Sequence, residues 1–380
     1  MRALLDTGVY KDKSGNVARF DILLKCRRIG ATAVRETMFI KNAWYVIAST
    51  DEIGRTPLSR TVCGDEMVLF RTEDGTPAAL LDQCPHRRYP LSRGTVVGDT
   101  IECGYHGFCF GADAKCTHVP GSKTISPKLN GRIYPLVERY DWAWVWPGDA
   151  ALADPDLIPD MHWKSEPGWA AEGGLIELDC HYQLQSDNLL DLTHEAFVHK
   201  RTIGNPAVAE TPSTVRLDGE RVHVDRIMRD ITAPPLFQKV SNFDGNIDRY
   251  QLVWFEAPAN IWIDAFAYPT GTEDASRGMR WVVMNSITPS TADTALYFYS
   301  LSRNFNSADT DMTAMIEGQL HMTLLEDKVV LEEQQRVIAD DDPTGANLVN
   351  SACDAGSVYA RRIVQNLIGK EDSGRQIAAE

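Results

Sequence analysis

Two short stretches, Cys84-Pro85-His86 and Cys103-Gly104-Tyr105-His106, decide how the first half of the chain folds. Each pairs a cysteine with a histidine in one tight turn, and 16 residues separate the two. Four of the eight cysteines lie between positions 84 and 116. Clustered cysteines in a chain with no secretory leader pattern are more typical of metal ligands than of disulfides. We therefore expect both pairs to bind metal, and the two further cysteines of this stretch, Cys109 and Cys116, to be small buried residues.

The order of the four ligands distinguishes two kinds of metal centre. In a Rieske [2Fe-2S] cluster two thiolates hold one iron and two imidazoles hold the other. In a structural zinc site of the Cys2His2 type, both cysteines usually lie in one knuckle and both histidines in the other. Because each knuckle here mixes the two residue types, the sequence favours the Rieske cluster, with a zinc site as the alternative.

The sequence around the two knuckles is typical of short strands and turns. Apolar runs at residues 67–70 and 78–81 flank Asp74-Gly75, a hairpin-turn dipeptide. A stretch rich in proline and aspartate, residues 147–159, marks a domain boundary. We predict an all-β Rieske domain over residues 38–149. Residues 1–37 show no sustained hydrophobic period, and we predict a poorly ordered extension or an upstream start site there.

The second half of the chain mixes strands and helices. Strands are expected at residues 175–184, 215–226, 250–255, 261–268, 279–288 and 295–304, and helices at residues 186–199, 311–338 and 357–368. Consecutive strands without intervening helices predict an antiparallel sheet, and the flanking helices make the fold class α+β. We assign residues 150–370 to a second domain and residues 371–380 to a tail.

A second group of possible metal ligands lies in the predicted helix 186–199. His194 and His199 would point about 140° apart on a regular helix, because each residue turns it by about 100°. They can bind one metal only if the helix ends or distorts between them, and we predict that it does. Two imidazoles and one carboxylate would form the facial triad of a mononuclear non-haem iron site.

The carboxylate of that triad is predicted from the helix at residues 311–338. Asp327 continues an apolar stripe formed by Ile316, Leu320, Leu324 and Leu331. A buried carboxylate is costly unless it is paired or bound to metal. We predict that Asp327 is an iron ligand; the alternative is an ion pair with Arg361 or Arg362. Three further acids of this helix are expected to be solvated, namely Glu326, Glu332 and Glu333.

Composition excludes some classes of partner. The formal net charge is −15, so the chain offers no basic surface for nucleic acid. No run of 18 apolar residues occurs, and a membrane span is therefore not expected. Reduced cysteines together with these features predict a cytoplasmic protein.

These motifs resemble those of the Rieske non-haem iron aromatic oxygenases, and within them the vanillate O-demethylase oxygenase family. The resemblance covers residues 38 to about 371. Besides the two knuckles it rests on Lys41-Asn42-Ala43-Trp44-Tyr45-Val46, Trp144-Val145-Trp146-Pro147-Gly148-Asp149, Asp187-Asn188-Leu189-Leu190-Asp191-Leu192-Thr193-His194-Glu195, Ile287-Thr288-Pro289 and Asp354-Ala355-Gly356.

The resemblance implies a catalytic domain of the helix-grip type, a curved antiparallel sheet with helices, in a homotrimer. It implies that His194, His199 and Asp327 bind Fe(II), with Asn188 close to the iron. By the same resemblance Asp191 is the bridging carboxylate between His194 and His106 of the partner subunit. Electrons from NADH would reach the cluster through a flavin- and iron–sulfur-containing reductase, and O2 would be the co-substrate.

The resemblance also implies the reaction, O-demethylation of a vanillate-like methoxylated aromatic acid to a phenol and formaldehyde. Ring hydroxylation or N-demethylation of another aromatic is the alternative, and a non-catalytic Rieske electron carrier is a third possibility that the long second half argues against. Strand residues were expected to line the substrate pocket: Asn285, Trp262 and Phe266 first, with Tyr268 and Trp281.

One departure from the family pattern follows the first knuckle. Relatives usually have a pair of small residues of the Gly-Ala type after Cys84-Pro85-His86-Arg87, whereas this chain has Arg88-Tyr89. We expect the larger side chains to alter the rim of the cluster and the contact with the reductase or a neighbouring subunit.

Overall fold

Eleven short strands between Tyr45 and Val145 form three small antiparallel sheets in a computed structural model, which describes residues 39–241, 243–272, 274, 277–341 and 348–379. The predicted extension, residues 1–37, lies outside the described residues. The sheet orders are β1-β11-β10, β2-β3-β4-β9 and β5-β6-β7-β8. The strands are β1 Tyr45–Ser49, β2 Leu58–Val62, β3 Asp65–Arg71, β4 Pro77–Leu81, β5 Thr95–Val97, β6 Thr100–Glu102, β7 Cys109–Gly111, β8 Cys116–His118, β9 Ile133–Tyr134, β10 Leu136–Arg139 and β11 Trp142–Val145.

The predicted hairpin at Asp74-Gly75 joins β3 to β4. Gly75 has a φ of +88°, a left-handed conformation that glycine adopts without the steric cost of a Cβ atom. The metal-binding turns lie at the ends of such short strands. Residues 84–89 form a loop between β4 and β5, and residues 103–108 link β6 to β7. The all-β prediction for this part of the chain is confirmed.

The second half contains one antiparallel sheet of seven strands with helices around it. Its order is β12-β18-β17-β16-β15-β14-β13. The strands are β12 Ala170–Leu178, β13 Thr214–Asp218, β14 Arg221–Ile231, β15 Ile247–Glu256, β16 Asn260–Pro269, β17 Met279–Pro289 and β18 Ala295–Arg303. The helices are α1 Tyr182–Leu190, α2 Pro206–Glu210, α3 Pro235–Val240, α4 Thr310–Asp341 and α5 Ala355–Ala379. The α+β class is confirmed.

Several predicted boundaries were wrong. The strand expected at 175–184 is β12, which ends at Leu178, and the helix expected at 186–199 is the shorter α1. The strand expected at 215–226 is the hairpin of β13 and β14, which turns at Gly219 (φ +62°). Helix α5 runs beyond residue 368 and continues through the segment assigned to a tail.

The two halves share one hydrophobic core. A cluster of buried side chains combines Tyr45 and Val145 from the first half with Ile287 and Val364 from the second. The hydroxyl of Thr288 on β17 donates to the carbonyl of Val46 on β1 over 2.6 Å. The predicted boundary near residue 149 therefore separates sheets that pack together, and the bounds of the two domains stay a prediction.

The far end of helix α5 reaches the start of the described chain. The Glu371 carboxylate accepts hydrogen bonds from the backbone N–H groups of Lys41 (2.9 Å) and Asn42 (2.8 Å). These contacts tie α5 to the entry of β1. None of the helices in the described segments is long and apolar enough to cross a membrane.

Candidate metal centres

The two Cys-His knuckles have the same backbone hydrogen bonds. In the first, the N–H of Cys84 donates to the carbonyl of Tyr89 (2.9 Å), and the N–H of Arg88 donates to that of Cys84 (2.8 Å). In the second, the N–H of Cys103 donates to Phe108 (2.8 Å), and that of Gly107 donates to Cys103 (3.0 Å). Each loop thereby presents its cysteine and its histidine from one short turn, as a cluster between two similar loops requires.

The side chains of the two knuckles meet at one edge of the small sheets. Cys84 and Cys103 are both 2% exposed, whereas His106 is exposed. The rings of His86 and His106 lie 4.8 Å apart between centroids, and that of His86 stacks on Phe108 at 4.4 Å. Nδ1 of His86 is buried and has no hydrogen-bond partner among the described residues. A buried imidazole nitrogen without a partner fits a metal ligand.

The thiols fit the same cluster. Burial raises the pKa of the Cys84 thiol to about 11, although the backbone N–H groups of His86 and Arg87 hydrogen-bond its sulfur and lower it. Because the thiolate is the form that binds metal, iron must displace the proton here. The hydrogen bonds from the backbone then stabilise the sulfur charge that the cluster carries.

The departure after the first knuckle has a structural consequence. Arg88 adopts a φ of +59°, matching Gly107 (φ +67°) at the same place in the second knuckle. A left-handed conformation costs a residue with a Cβ atom about 1–2 kcal/mol. The ring of Tyr89 lies 5.7 Å from that of Tyr105, and both are exposed beside the cluster ligands. Arg88 and Tyr89 therefore do form part of the cluster rim.

The segment that carries the second set of ligands changes conformation twice. Helix α1 ends at Leu190, and Asp191 is extended (φ −125°, ψ 92°). The carboxylate of Asp191 then accepts the N–H of Thr193 over 3.0 Å and caps a short 3-10 helix, Leu192–Ala196. This helix ends between His194 and His199, as predicted. A capping aspartate interrupts the regular helix that the sequence pattern suggested.

Three predicted ligands converge. Nε2 of His194 lies 3.4 Å from Oδ1 of Asp327, and Nε2 of His199 lies 3.1 Å from the same oxygen. One ligand atom from each of the three lies within 4.8 Å of the others. Asp327 is 2% exposed and His199 is 1% exposed. Two imidazoles and a carboxylate facing one point form the donor set of a mononuclear non-haem iron site.

Each histidine is oriented through its second nitrogen. His194 directs Nδ1 to the backbone carbonyl of Asp191 (2.8 Å), and His199 directs Nδ1 to Oε2 of Glu326 (2.8 Å). Both contacts leave Nε2 facing Asp327. The prediction that Glu326 is merely solvated was therefore wrong, because it fixes the ring of a ligand.

The remaining acids of α4 have structural partners. Glu332 accepts the backbone N–H of Asp179 over 2.8 Å and pairs with Lys328. Glu333 is exposed and pairs with Arg336 at 3.0 Å. The expected solvation therefore describes Glu333 but not Glu332.

The neighbours of Asp327 exclude the ion pair considered as an alternative. Arg361 makes two hydrogen bonds from Nε to the carboxylate of Asp187, at 3.0 and 2.9 Å, and a third from Nη1 to Gln183. The guanidinium of Arg362 lies over the ring of Tyr359 at 6.0 Å. Nδ2 of Asn188 instead donates to Oδ1 of Asp327 over 3.2 Å. Asn188 thus lies beside the predicted iron site.

The carboxylate of Asp191 does not contact His194. Its Oδ1 lies 3.9 Å from Nη2 of Arg226, and it shares a group of possible ligands with Cys353 and Asp354. The contact with His194 is made by the backbone carbonyl instead. The predicted contact with His106 of the partner subunit involves a second chain and stays a prediction.

A largely apolar cavity opens beside the three ligands. Two of the expected strand residues, Trp281 and Asn285, belong to its wall. Both amide hydrogens of Asn285 are used by the carbonyls of Ile261 (2.9 Å) and Val283 (3.3 Å), and its oxygen accepts the Tyr297 hydroxyl (2.6 Å). The amide of Asn285 is thus already satisfied within the sheet.

Two other predicted pocket residues point away from the cavity. The wall of β16 consists of Ile263 and Ala265, whereas Trp262 and Phe266 lie on the opposite face. Trp262 stacks on Trp254 at 5.4 Å, and Phe266 stacks on Tyr250 at 4.4 Å. Tyr268 shares their face, at 5.8 Å from Phe266. The expected alternation along the strand is present, but the choice of face for these residues was wrong.

A buried polar network in the cavity wall was missed at the sequence level. The carboxylate of Glu195 accepts Nη2 of Arg249 (3.0 Å) and Nε2 of Gln251 (2.7 Å). The three residues are at most 3% exposed. Two polar residues at alternate positions, followed by Val253 and Phe255 on the same buried face, were the signal of an inward polar patch.

Two family models match the chain. The model described as "Rieske [2Fe-2S] domain" matches residues 43–135, and the one described as "Vanillate O-demethylase oxygenase C-terminal domain" matches residues 178–370. The chain is 36% identical over 352 residues to the vanillate O-demethylase oxygenase subunit of a Pseudomonas species (strain HR199), covering 90% of this chain and 98% of that protein. It is 35% identical over 343 residues to the oxygenase component of dicamba O-demethylase from Stenotrophomonas maltophilia, covering 87% and 98%.

A solved structure agrees with these relationships. The crystal structure of dicamba monooxygenase bound to dicamba superposes with a TM-score of 0.83 at 32% identity, covering 88% of this chain and 99% of that one. A further structure of that enzyme is described as containing non-haem iron together with dicamba. The resemblance inferred from the two knuckles and the histidine motif is confirmed.

Proposed function

The chain belongs to the vanillate O-demethylase oxygenase family of Rieske non-haem iron oxygenases, and from this premise we propose that it O-demethylates a methoxylated aromatic acid. It is the oxygenase component of a monooxygenase system, with a Rieske [2Fe-2S] cluster and a mononuclear iron as cofactors. The proposed reaction converts ArOCH3, O2, NADH and H+ into ArOH, formaldehyde, NAD+ and water. Hydroxylation of the methoxy carbon gives a hemiacetal, which collapses to the two organic products.

The observation that carries this proposal is the position of the cavity. It opens directly onto His194, His199 and Asp327, and its walls are mainly leucine, isoleucine, valine and tryptophan side chains. An aromatic ring can bury its apolar faces there. A methoxy group at the ligand end would lie next to the metal, which when bound supplies the reductive activation of O2.

Each assigned residue has a defined task in this proposal. Cys84, His86, Cys103 and His106 would hold the cluster, and His194, His199 and Asp327 would hold the mononuclear iron. Asn188 donates to Asp327 and would keep its second carboxylate oxygen directed at the metal. Glu326 fixes the ring of His199. The apolar wall excludes water from the reacting carbon.

The proposed electron path requires further chains. Relatives are components of multi-component systems, and a reductase with flavin and iron–sulfur groups would deliver electrons from NADH in the cytoplasm. We place the working unit in a homotrimer, where Asp191 meets His106 of the partner subunit. Exposure of His106 and partial exposure of Asp191 support this assignment. The two parts of the chain, residues 38–149 and 150–370, would be the Rieske and catalytic domains.

The test measures oxygen uptake and formaldehyde together. Purified oxygenase, a reductase and NADH are supplied with a panel of methoxybenzoates, N-methyl aromatics and unsubstituted aromatic acids. The proposal expects one formaldehyde and one phenol for each O2 consumed with a methoxybenzoate. Ring-hydroxylated products that retain the methoxy group, or amines from N-methyl substrates at higher kcat/KM, would replace it with one of the other oxygenase reactions.

A further inference from the structure

The polar end of the cavity lies on β15, next to the turn that carries His194. Glu195, Arg249 and Gln251 meet there, and the pocket wall contains all three. The guanidinium of Arg249 lies over the ring of Phe237 at 4.9 Å and donates from Nη1 to the carbonyl of Ile203 (3.3 Å). The network is thus fixed on several sides and does not depend on solvent.

The charge of Arg249 is already compensated. Its Nη2 donates to Oε2 of Glu195 over 3.0 Å, with both residues almost completely buried. Arg249 is the one cation in the wall of this cavity, counted over the described residues. A substrate carboxylate placed against it would also face the negative charge of Glu195. The acid group of the substrate therefore does not bind here.

Two hydrogen-bonding atoms in this wall are left over. A carboxylate only accepts, so the amide of Gln251 must present Nε2 to Glu195 and turn Oε1 away. That oxygen and Nε of Arg249 are both buried, and neither has a hydrogen-bond partner within the described residues. Leaving such groups unpaired is costly. The wall thus offers one free N–H donor and one free acceptor on neighbouring side chains.

A hydroxyl group matches this combination, because it donates one hydrogen bond and accepts others. A methoxy oxygen or a carboxylate can only accept and would leave Oε1 of Gln251 unpaired. We propose that Arg249 and Gln251 form a subsite for a neutral hydroxyl on the substrate ring, so that the preferred substrate is a methoxylated phenol. This inference rests on the proposed O-demethylase function and names the ring substituent that the site selects.

The subsite also has a positioning element. Glu195 follows the iron ligand His194 directly, and its backbone carbonyl accepts the N–H of His199 over 3.2 Å. The carboxylate that orients Gln251 therefore belongs to the segment that presents both histidines. A hydroxyl bound by Gln251 is held at a fixed place relative to the iron ligands, which directs a neighbouring methoxy group toward them.

The experiment compares ligands that differ only at the hydroxyl. Binding of 4-hydroxy-3-methoxybenzoate, 3-methoxybenzoate and 3,4-dimethoxybenzoate to the holoenzyme is measured by calorimetry, and turnover is followed by formaldehyde release. The wild-type protein should bind the hydroxylated compound at least tenfold more tightly than either of the others. Equal affinities for the three compounds would overturn the proposal without any variant.

Variants assign the preference to the residue. Gln251→Met keeps the length of the side chain and removes the acceptor, so the hydroxyl preference should fall at least fivefold while affinity for 3-methoxybenzoate stays within twofold. Leu252→Met, on the other face of β15, is the matched control and should keep the full preference. An undiminished preference in Gln251→Met would show that the hydroxyl binds elsewhere. Absence of formaldehyde with all compounds would contradict the O-demethylase function, whereas the calorimetric comparison would still decide the subsite.

Discussion

Nε2 of His199 and Oδ1 of Asp327 lie 3.1 Å apart, although one follows a 3-10 turn after α1 and the other lies in the middle of α4. The two elements therefore close the triad only when the second half of the chain is folded. Asp327→Ala should remove the mononuclear iron and abolish formaldehyde release. Cluster absorbance should remain, because the knuckles lie on other elements. Metal analysis combined with the visible spectrum measures both centres.

The control for this substitution is on the same helix. Glu333 is exposed and pairs only at the surface with Arg336. Glu333→Ala should leave the iron content and the turnover rate unchanged. Retention of mononuclear iron in the Asp327→Ala protein would contradict the assignment of the triad.

Glu326 should contribute to metal affinity without touching the metal. It lies 2.8 Å from Nδ1 of His199 and sets the orientation of that ring. Loss of such a partner typically weakens metal binding about 10–100-fold. Glu326→Ala should therefore release iron at chelator concentrations that leave the wild-type site intact, and Glu326→Gln, which can still accept from Nδ1, should lie between them. Equal chelator sensitivity of all three proteins would exclude this role.

The metal ligands could be predicted from sequence because their signals are local. Cys84 and His86 share one turn, and Asp327 stands out as a charge on an apolar helical stripe. Glu326 carried no such signal, since its partner His199 comes from a distant part of the chain. Contacts of that kind appear only when the folded elements are packed together.

Two other errors have equally plain physical causes. Alternation along β16 was correctly expected, but a period of two does not tell which face meets the cavity, and both faces of this strand are buried by aromatic or aliphatic neighbours. The helix expected through His199 ends at Leu190 because Asp191 uses its side chain to cap a new turn. In both cases local patterns were read correctly and tertiary context selected the outcome.

Arg88 should be replaceable by glycine with a gain in stability. Its φ of +59° costs an L-residue about 1–2 kcal/mol, part of which glycine loses again through its greater freedom in the unfolded chain. We expect Arg88→Gly to raise the free energy of unfolding by about 0.5–1 kcal/mol. Arg87→Gly, in the same loop but without a positive φ, should lower it. Urea titrations followed by cluster absorbance and by circular dichroism report the order of the three midpoints, and a midpoint of Arg88→Gly below wild type would refute the strain argument.

His181 should make stability depend on pH in the mildly acidic range. Burial, and then the charge of Arg361, lower the pKa of His181 from 6.5 to about 4. Between these pH values the unfolded chain binds a proton that the folded chain does not, so the free energy of unfolding falls as the pH drops from 6.5 to 4. The loss amounts to about 2–3 kcal/mol. Protonation would also remove the acceptor, Nδ1, that caps the N–H of Gln183 over 3.3 Å.

His181→Asn tests this dependence, since asparagine keeps a capping oxygen but does not titrate. Denaturant titrations at pH 7, 6, 5 and 4.5 should show a shallower loss for the variant than for the wild type. His162→Asn, at an exposed position, should retain the wild-type slope. Parallel slopes for all three proteins would mean that other groups cause the acid sensitivity.

Asp191 should separate electron transfer from iron binding. Its backbone carbonyl contacts His194 and its side chain caps Thr193, and Asp191→Asn preserves both functions. The variant should therefore keep its iron and its cluster, while formaldehyde release falls at least about 100-fold if the carboxylate carries the contact with His106 of the partner subunit. Stopped-flow absorbance should show normal reduction of the cluster by the reductase followed by slow reoxidation with O2 and substrate. Reoxidation at the wild-type rate would remove Asp191 from the path, and loss of iron would mean that its role lies in the turn that presents His194.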